Sequence, residues 1–158
     1  MNLYLVQHAE AMQEDEDPTR PLTGHGMECI RKVAHYASRH LDINIERIVH
    51  SGKKRAIQTA EVLSEELKPA KGMEQGQEMN PLSGPWGWVE QLSQTEENLM
   101  LVGHLPHLKR LASLLLCQDE SKQFLEFQEG GIISFSRNES GIWVLLWMII
   151  PGILPGMR

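Results

Sequence analysis

Residues 3–7, Leu-Tyr-Leu-Val-Gln, are an almost unbroken apolar run that stops at His8. A run so short and uniform predicts a strand buried on both faces, as in a parallel sheet. A polar, acidic stretch follows from Gln13 to Arg20, and then Pro21-Leu22-Thr23 predicts a helix entry with Thr23 as N-cap. Met27, Ile30, Ala34, Ala37 and Leu41 recur at helical spacing and give the first helix one apolar stripe. Ile48 and Val49 mark a second strand, and Ala56, Ala60, Leu63 and Leu67 mark a second helix that ends near Pro69. From Pro69 to Pro85 the chain is rich in glycine and proline and has no period, which predicts a long surface connection overhanging the pocket. Trp86 to Gln94 predict a short helix and Leu99 to Val102 a third strand. A helix with Pro106 in its first turn follows, with a stripe at Leu108, Leu111, Ala112 and Leu115. Gly131 to Ser136 and Trp143 to Met148, separated by Arg137 to Gly141, predict a hairpin at a sheet edge.

Strands that alternate with helices imply a mostly parallel sheet, and the terminal hairpin adds an antiparallel strand. The expected fold is therefore an α/β three-layer sandwich with one antiparallel edge region and helices on both faces. Its length of 158 residues fits one domain over 1–158, able to bury a core without metal or disulfide support.

Charge narrows the function. A net charge of −6 leaves no global basic field, so neither nucleic acid nor an anionic membrane is an expected partner, and any anion site must be local. The first apolar run lacks a basic leader, so no secretory signal is read and a cytoplasmic location is expected. The late apolar stretch from Ile132 to Ile150 is interrupted by Arg137, Asn138 and Glu139, which a bilayer-spanning helix would not tolerate.

The chemistry gathers at three strand ends. The first delivers His8, the second runs through His50-Ser51 to Lys53-Lys54-Arg55, and the third ends at His104. In an open α/β sheet such ends border the ligand crevice. One histidine there reads most simply as a core residue satisfied by backbone. Two histidines at matching places, with an arginine in the first turn of a helix, describe a site for a tetrahedral anion such as phosphate, because amide N–H groups and helix dipoles favour negative charge there. Arg55 offers a planar fork for two phosphoryl oxygens, whereas Lys53 and Lys54 read as solvated cations. Arg20, just before the first helix, is unremarkable by itself.

Val6-Gln-His-Ala-Glu-Ala11 resembles the Arg-His-Gly signature of the histidine phosphatase superfamily. Ser51 to Ala60 resembles its Ser-x-x-x-Arg-Ala-x-Gln-Thr-Ala segment, and Leu101-Val-Gly-His-Leu-Pro106 resembles its second-histidine segment. The short length, Arg20-Pro-Leu-Thr23 and the late Leu-Trp-Met-x-x-Pro segment are similar to the SixA-type phosphohistidine phosphatase branch. The resemblance implies that His8 is a nucleophile taking the phosphoryl group and that Arg20, Arg55 and His104 hold its oxygens. The implied substrate is phosphohistidine on a protein, and no metal or cofactor is called for. A neutral imidazole is also a competent nucleophile on general grounds, and two steps through it are easier than one displacement by water. Gln7 stands where the family has arginine and Ala9 where it has glycine. Gln7 can still donate to phosphate through its amide but brings no charge, so a catalytically weak phosphate-binding module is the alternative expectation. Glu78 is the one candidate proton donor, a solvated loop glutamate being the simpler reading.

Other motifs fail on context. Asp15-x-Asp-x-Thr19 lies in a polar loop rather than directly after a strand, as haloacid-dehalogenase-type phosphatases require. Neither Cys29 nor Cys117 has an arginine six residues later, so no cysteine-phosphatase loop is present. His104 and His107 lack a third ligand nearby, and His107 is expected to be satisfied or solvated rather than to bind metal.

Overall fold

The computed structural model describes residues 1–156. In chain order the elements are β1 (Asn2–Gln7), α1 (Gly24–His40), β2 (Arg47–His50), α2 (Lys54–Leu67), β3 (Met73–Gln75), α3 (Trp86–Gln94), β4 (Leu99–Gly103), α4 (His107–Cys117), β5 (Ile132–Arg137) and β6 (Trp143–Ile149). They build one six-stranded sheet in the order β3-β2-β4-β1-β5-β6. β1 to β4 run parallel, and β5 alone runs against its neighbours β1 and β6. The α/β sandwich read from the sequence is the architecture observed.

Alternation along the strands divides the core into two layers. Tyr4, Val6, Ile48, Met100 and Val102 point to the face covered by α1 and α2. Leu3, Leu5, Val49, Leu99 and Leu101 point to the face covered by α3 and α4. Because both faces are covered, the central strands read as apolar runs rather than as alternation. Among the described residues no helix is long and apolar enough to cross a membrane, and the stretch from Ile132 to Ile149 is the β5–β6 hairpin. A bulge between Ser134 and Phe135 leaves Leu146 of β6 without a partner.

One element departs from the sequence reading. The connection from Pro69 to Pro85 contains β3, the outermost strand, paired with β2 from Ile48↔Met73 to His50↔Gln75. It has three residues, two of them exposed, so no local pattern announces it. It forms because the outer edge of β2 otherwise leaves ladder groups unpaired.

The entry to α1 is as the sequence suggests. Thr23 Oγ1 accepts from the Gly26 N–H at 2.9 Å and donates to Glu10 Oε1 at 2.5 Å. Glu10 O also accepts from Thr23 N–H at 3.0 Å, so the segment after His8 is tied directly to the helix start. Gly26 allows this approach, since a Cβ there would lie 2.1 Å from Glu10 O. Gly26→Ala gains helix propensity of about 1 kcal/mol but forces backbone apart, and overpacking of this kind costs about 1–3 kcal/mol. The urea midpoint of the variant is expected to fall. An unchanged or higher midpoint would mean that the loop moves aside without cost.

Candidate active site

Neighbouring strands β2, β4 and β1 end side by side, and the residues just beyond them are still held by the sheet. His8 N–H donates to Gly103 O at 3.1 Å and Ser51 N–H to Val102 O at 3.3 Å. The backbone that carries the side chains therefore has no slack.

His8 is 7% exposed. Its Nδ1 lies 2.7 Å from Ala9 O, and a carbonyl can only accept, so Nδ1 carries the proton and Nε2 presents a bare lone pair. Arg55 Nε–H donates to that Nε2 at 3.2 Å. Burial, together with the charges of Arg55 and Arg20, pushes the His8 pKa down to about 4, against the opposing pull of Ala9 O. The ring is neutral at neutral pH.

Arg55 is buried at the start of α2, and among the described residues it has no ion-pair partner. Its pKa is lowered first by burial and then by the charge of Arg20, which places the two guanidinium groups within electrostatic reach. Arg20 is fixed by a bond from its Nε–H to Met12 O at 3.0 Å and sits at φ 48°, in the left-handed region that a branched-off side chain rarely adopts. Strain of this kind persists only where the surroundings impose it.

His104 completes the cluster. It is 2% exposed, its Nε2 lies 2.5 Å from Ser51 Oγ, and its ring centroid is 5.0 Å from that of His8. Its Nδ1 is buried without a partner. Burial first, then the repulsion that a protonated ring would meet from His8, Arg55, Lys53 and His107 in their charged forms, lowers its pKa to about 3. Two arginines that make no ion pair among the described residues and two neutral imidazoles form a cluster complementary to an oxyanion, with Glu129, whose pKa burial and Glu10 raise, within electrostatic reach of Arg20.

The structure thus brings His8, Arg20, Arg55 and His104 together. Gln7 lies at the mouth of the same strand end, where its Oε1 is buried and unpartnered. Glu78 is not drawn in. It sits at φ 53° with its carboxylate against the first turn of α3, so that a Cβ on Gly87 would meet Glu78 Oε2 at 2.2 Å. His107 is fully buried and both its ring nitrogens lack partners, so it is neither solvated nor satisfied. No cluster of three or more metal-ligating side chains forms among the described residues.

Two supporting residues were not singled out from the sequence. Thr59 Oγ1 accepts from Ala9 N–H at 3.0 Å and donates to Arg55 O at 2.7 Å, clamping the His8 turn to α2. Gln58 Oε1 accepts from Leu22 N–H at 2.8 Å and anchors the segment that carries Arg20. Both belong to the Ala56-x-Gln-Thr-Ala60 string, so the signal was in view without its role.

A sequence model of the histidine phosphatase superfamily, branch 1, matches residues 3–83, just over half of the chain. A comparison with curated protein sequences yields no match. Among solved structures, the protein histidine phosphatase SixA complexed with tungstate superposes with a TM-score of 0.82 at 24% identity, covering 96% of this chain and 98% of that one. A phosphohistidine phosphatase SixA from Agrobacterium tumefaciens gives 0.76 at 22% identity, over 95% and 98% of the two chains. An alpha-ribazole-5'-P phosphatase from Escherichia coli gives 0.75 at 18% identity, over 96% and 98%. These likenesses establish the shared fold.

The three buried imidazoles leave a signature in stability. His8 and His107 have folded pKa values of about 4 and His104 of about 3, each lowered chiefly by burial, against about 6.5 when unfolded. The unfolded chain therefore binds more protons between these limits. The stability due to each neutral ring is fully present above pH 6.5 and is lost as the pH falls toward the folded value, by about 1.4 kcal/mol per unit for each group. Urea unfolding of the apoprotein should show the midpoint dropping between pH 6.5 and 5, above the range where carboxylates titrate. A flat midpoint across that window would contradict the burial of these rings in neutral form.

Proposed function

This chain belongs to the histidine phosphatase superfamily, and from that premise we propose that it is a phosphatase acting on phosphohistidine in a protein. The observation that carries the reading is the unprotonated Nε2 of a neutral, buried His8, which accepts from Arg55 beside guanidinium groups that make no ion pair among the described residues. The substrate phosphoryl group enters this uncompensated positive site. Arg55, Arg20 and His104 hold its non-bridging oxygens, and Gln7 donates through its amide. His8 Nε2 attacks phosphorus in line, the bond from phosphorus to the leaving nitrogen breaks, and that nitrogen keeps the electron pair. Water then attacks the phosphoenzyme, releasing inorganic phosphate and restoring the free imidazole. Donors fixed in advance stabilise the charge that shifts between these oxygens, which is where most of the rate enhancement of phosphoryl transfer originates.

The choice of substrate rests on the leaving group. An alkoxide needs a proton from a nearby acid, and Glu78 is turned toward α3 instead. An imidazole departs more readily and lessens that need. The likeness to the protein histidine phosphatase SixA complexed with tungstate, a tetrahedral oxyanion, supports the same reading, while the alpha-ribazole-5'-P phosphatase makes a small phosphate ester the natural comparison. The exposed turn from Glu14 to Asp17 is joined to Arg20 by a bond from Arg20 N–H to Asp17 O at 2.9 Å, so it borders the arginine. Its charge disfavours small, highly charged phosphates and favours protein substrates with basic surroundings.

The test sets a phosphohistidine protein, a phosphoramidate and a phosphomonoester side by side and traps the acid-labile phosphoenzyme. The first two are expected to turn over through a burst and the ester slowly. His8→Ala should abolish phosphate release while leaving the circular dichroism spectrum intact, since the ring faces the pocket. Release near the wild-type rate would remove His8 as nucleophile.

Gln7 favours a second reading, in which the site binds phosphorylated protein without useful turnover. A guanidinium in its place makes charge-assisted hydrogen bonds about twice as strong as neutral ones. Gln7→Arg is therefore expected to raise the transfer rate by about tenfold, equivalent to about 1.4 kcal/mol in the transition state. A variant that neither binds phosphate more tightly nor turns over faster would favour the binding module.

A further inference from the structure

The two edges of the sheet are built differently. β3 is a three-residue edge with Glu74 exposed and paired to Arg47 at 2.8 Å. Short length and charge are the usual protection of an edge strand against further pairing. β6 has neither. It is seven residues long, and no charged residue occurs from Gly141 to Gly156. Its side chains are apolar on both faces, and Ile142, Val144 and Leu146 are 59%, 46% and 52% exposed. Next to the strand lies an apolar groove of about 360 Å³, bounded by Trp147, Met148, Ile149, Tyr36, Leu41 and Ile153. Edge and groove form one surface.

We propose that this surface is a homodimer interface in which β6 pairs antiparallel with β6 of a second copy, extending the sheet across a two-fold axis. Three features on this edge select a second copy as the occupant. With no charge along the strand there is nothing for an acidic or basic partner to complement, whereas an uncharged apolar strand complements itself. A two-fold axis also requires each protrusion to meet a recess on the same patch. Pairing centred between Leu145 and Leu146 brings Ile142 of the second copy opposite Ile149, beside the groove at the end of β6. Val144, Leu145, Leu146 and Met148 of β6, with Ile142 and Ile153 beside it, are all more than a third exposed and are the apolar side chains this edge offers to a second copy.

The arrangement leaves both phosphate pockets open. β6 runs in the same direction as β1, so in the antiparallel pair the two pockets lie at opposite ends of the joined sheet. The dimer is therefore independent of whether the site turns over phosphohistidine.

Sedimentation velocity on the full chain, from low to tens of micromolar, should give a dimer mass. Val144→Glu and Leu146→Lys should each shift it to the monomer with unchanged circular dichroism. Leu82→Lys, on a loop exposed elsewhere, should leave it a dimer. Should an edge variant fail to fold, hydrogen exchange of the wild-type chain decides in its place, because the β6 amides must become protected as concentration rises. A wild-type monomer at all concentrations overturns the proposal, and so does a dimer that survives both edge substitutions. A monomer that co-sediments with phosphatidylcholine vesicles would identify lipid as the occupant and equally overturn it.

Discussion

Arg55 carries a full positive charge into a site that is more than nine-tenths buried, with no carboxylate against it and one of its N–H groups engaged by a neutral imidazole. A buried, unpaired charge costs several kcal/mol even after relaxation. The rest of the site is arranged so that this cost can be borne. Thr59 bonds the backbone of Arg55 to that of Ala9, Gln58 holds the segment leading to Arg20, and the strand ends are still in register with the sheet. Two cohesive layers on either face supply the stability that the charged end subtracts. Polar groups without partners concentrate at the same end, on Gln7, His104 and His107.

Much of this was legible because the sheet is covered on both sides. The runs at Leu3 to Val6 and Leu99 to Val102 are too apolar to be anything but central strands, and a strand that stops at a histidine announces a pocket. Thr23 as N-cap was readable for a local reason, since its partner Gly26 is three residues away. Thr59 and Gln58 were not, because their partners lie 50 and 36 residues distant and no local pattern encodes them. β3 escaped for a similar reason. Three residues, two of them exposed, carry no period, and only the unpaired edge of β2 makes them a strand.

Two side chains illustrate how direction escapes sequence. Glu78 sits exposed in the expected loop, the simpler of its two readings, at positive φ and with its carboxylate against Gly87 of α3. His107 reads as a satisfied or solvated residue at a helix start, yet α4 packs it inward without a partner, where burial keeps it neutral. Composition cannot separate these outcomes, because the same residue types at the same spacing are found pointing either way.

The bond between His8 Nδ1 and Ala9 O settles a question of regiochemistry. With Nδ1 held by the backbone of the very next residue, the imidazole has one orientation, and turning the ring over would break that bond and also bury Nε2 away from Arg55. Any electrophile taken up by His8 must therefore bond to Nε2, giving the τ isomer and never the π isomer. The alkylated or phosphorylated ring would then carry positive charge, and Ala9 O, already in place, is the dipole that steadies it. A backbone carbonyl one residue away thus selects which of two chemically distinct derivatives of a single side chain this fold can make.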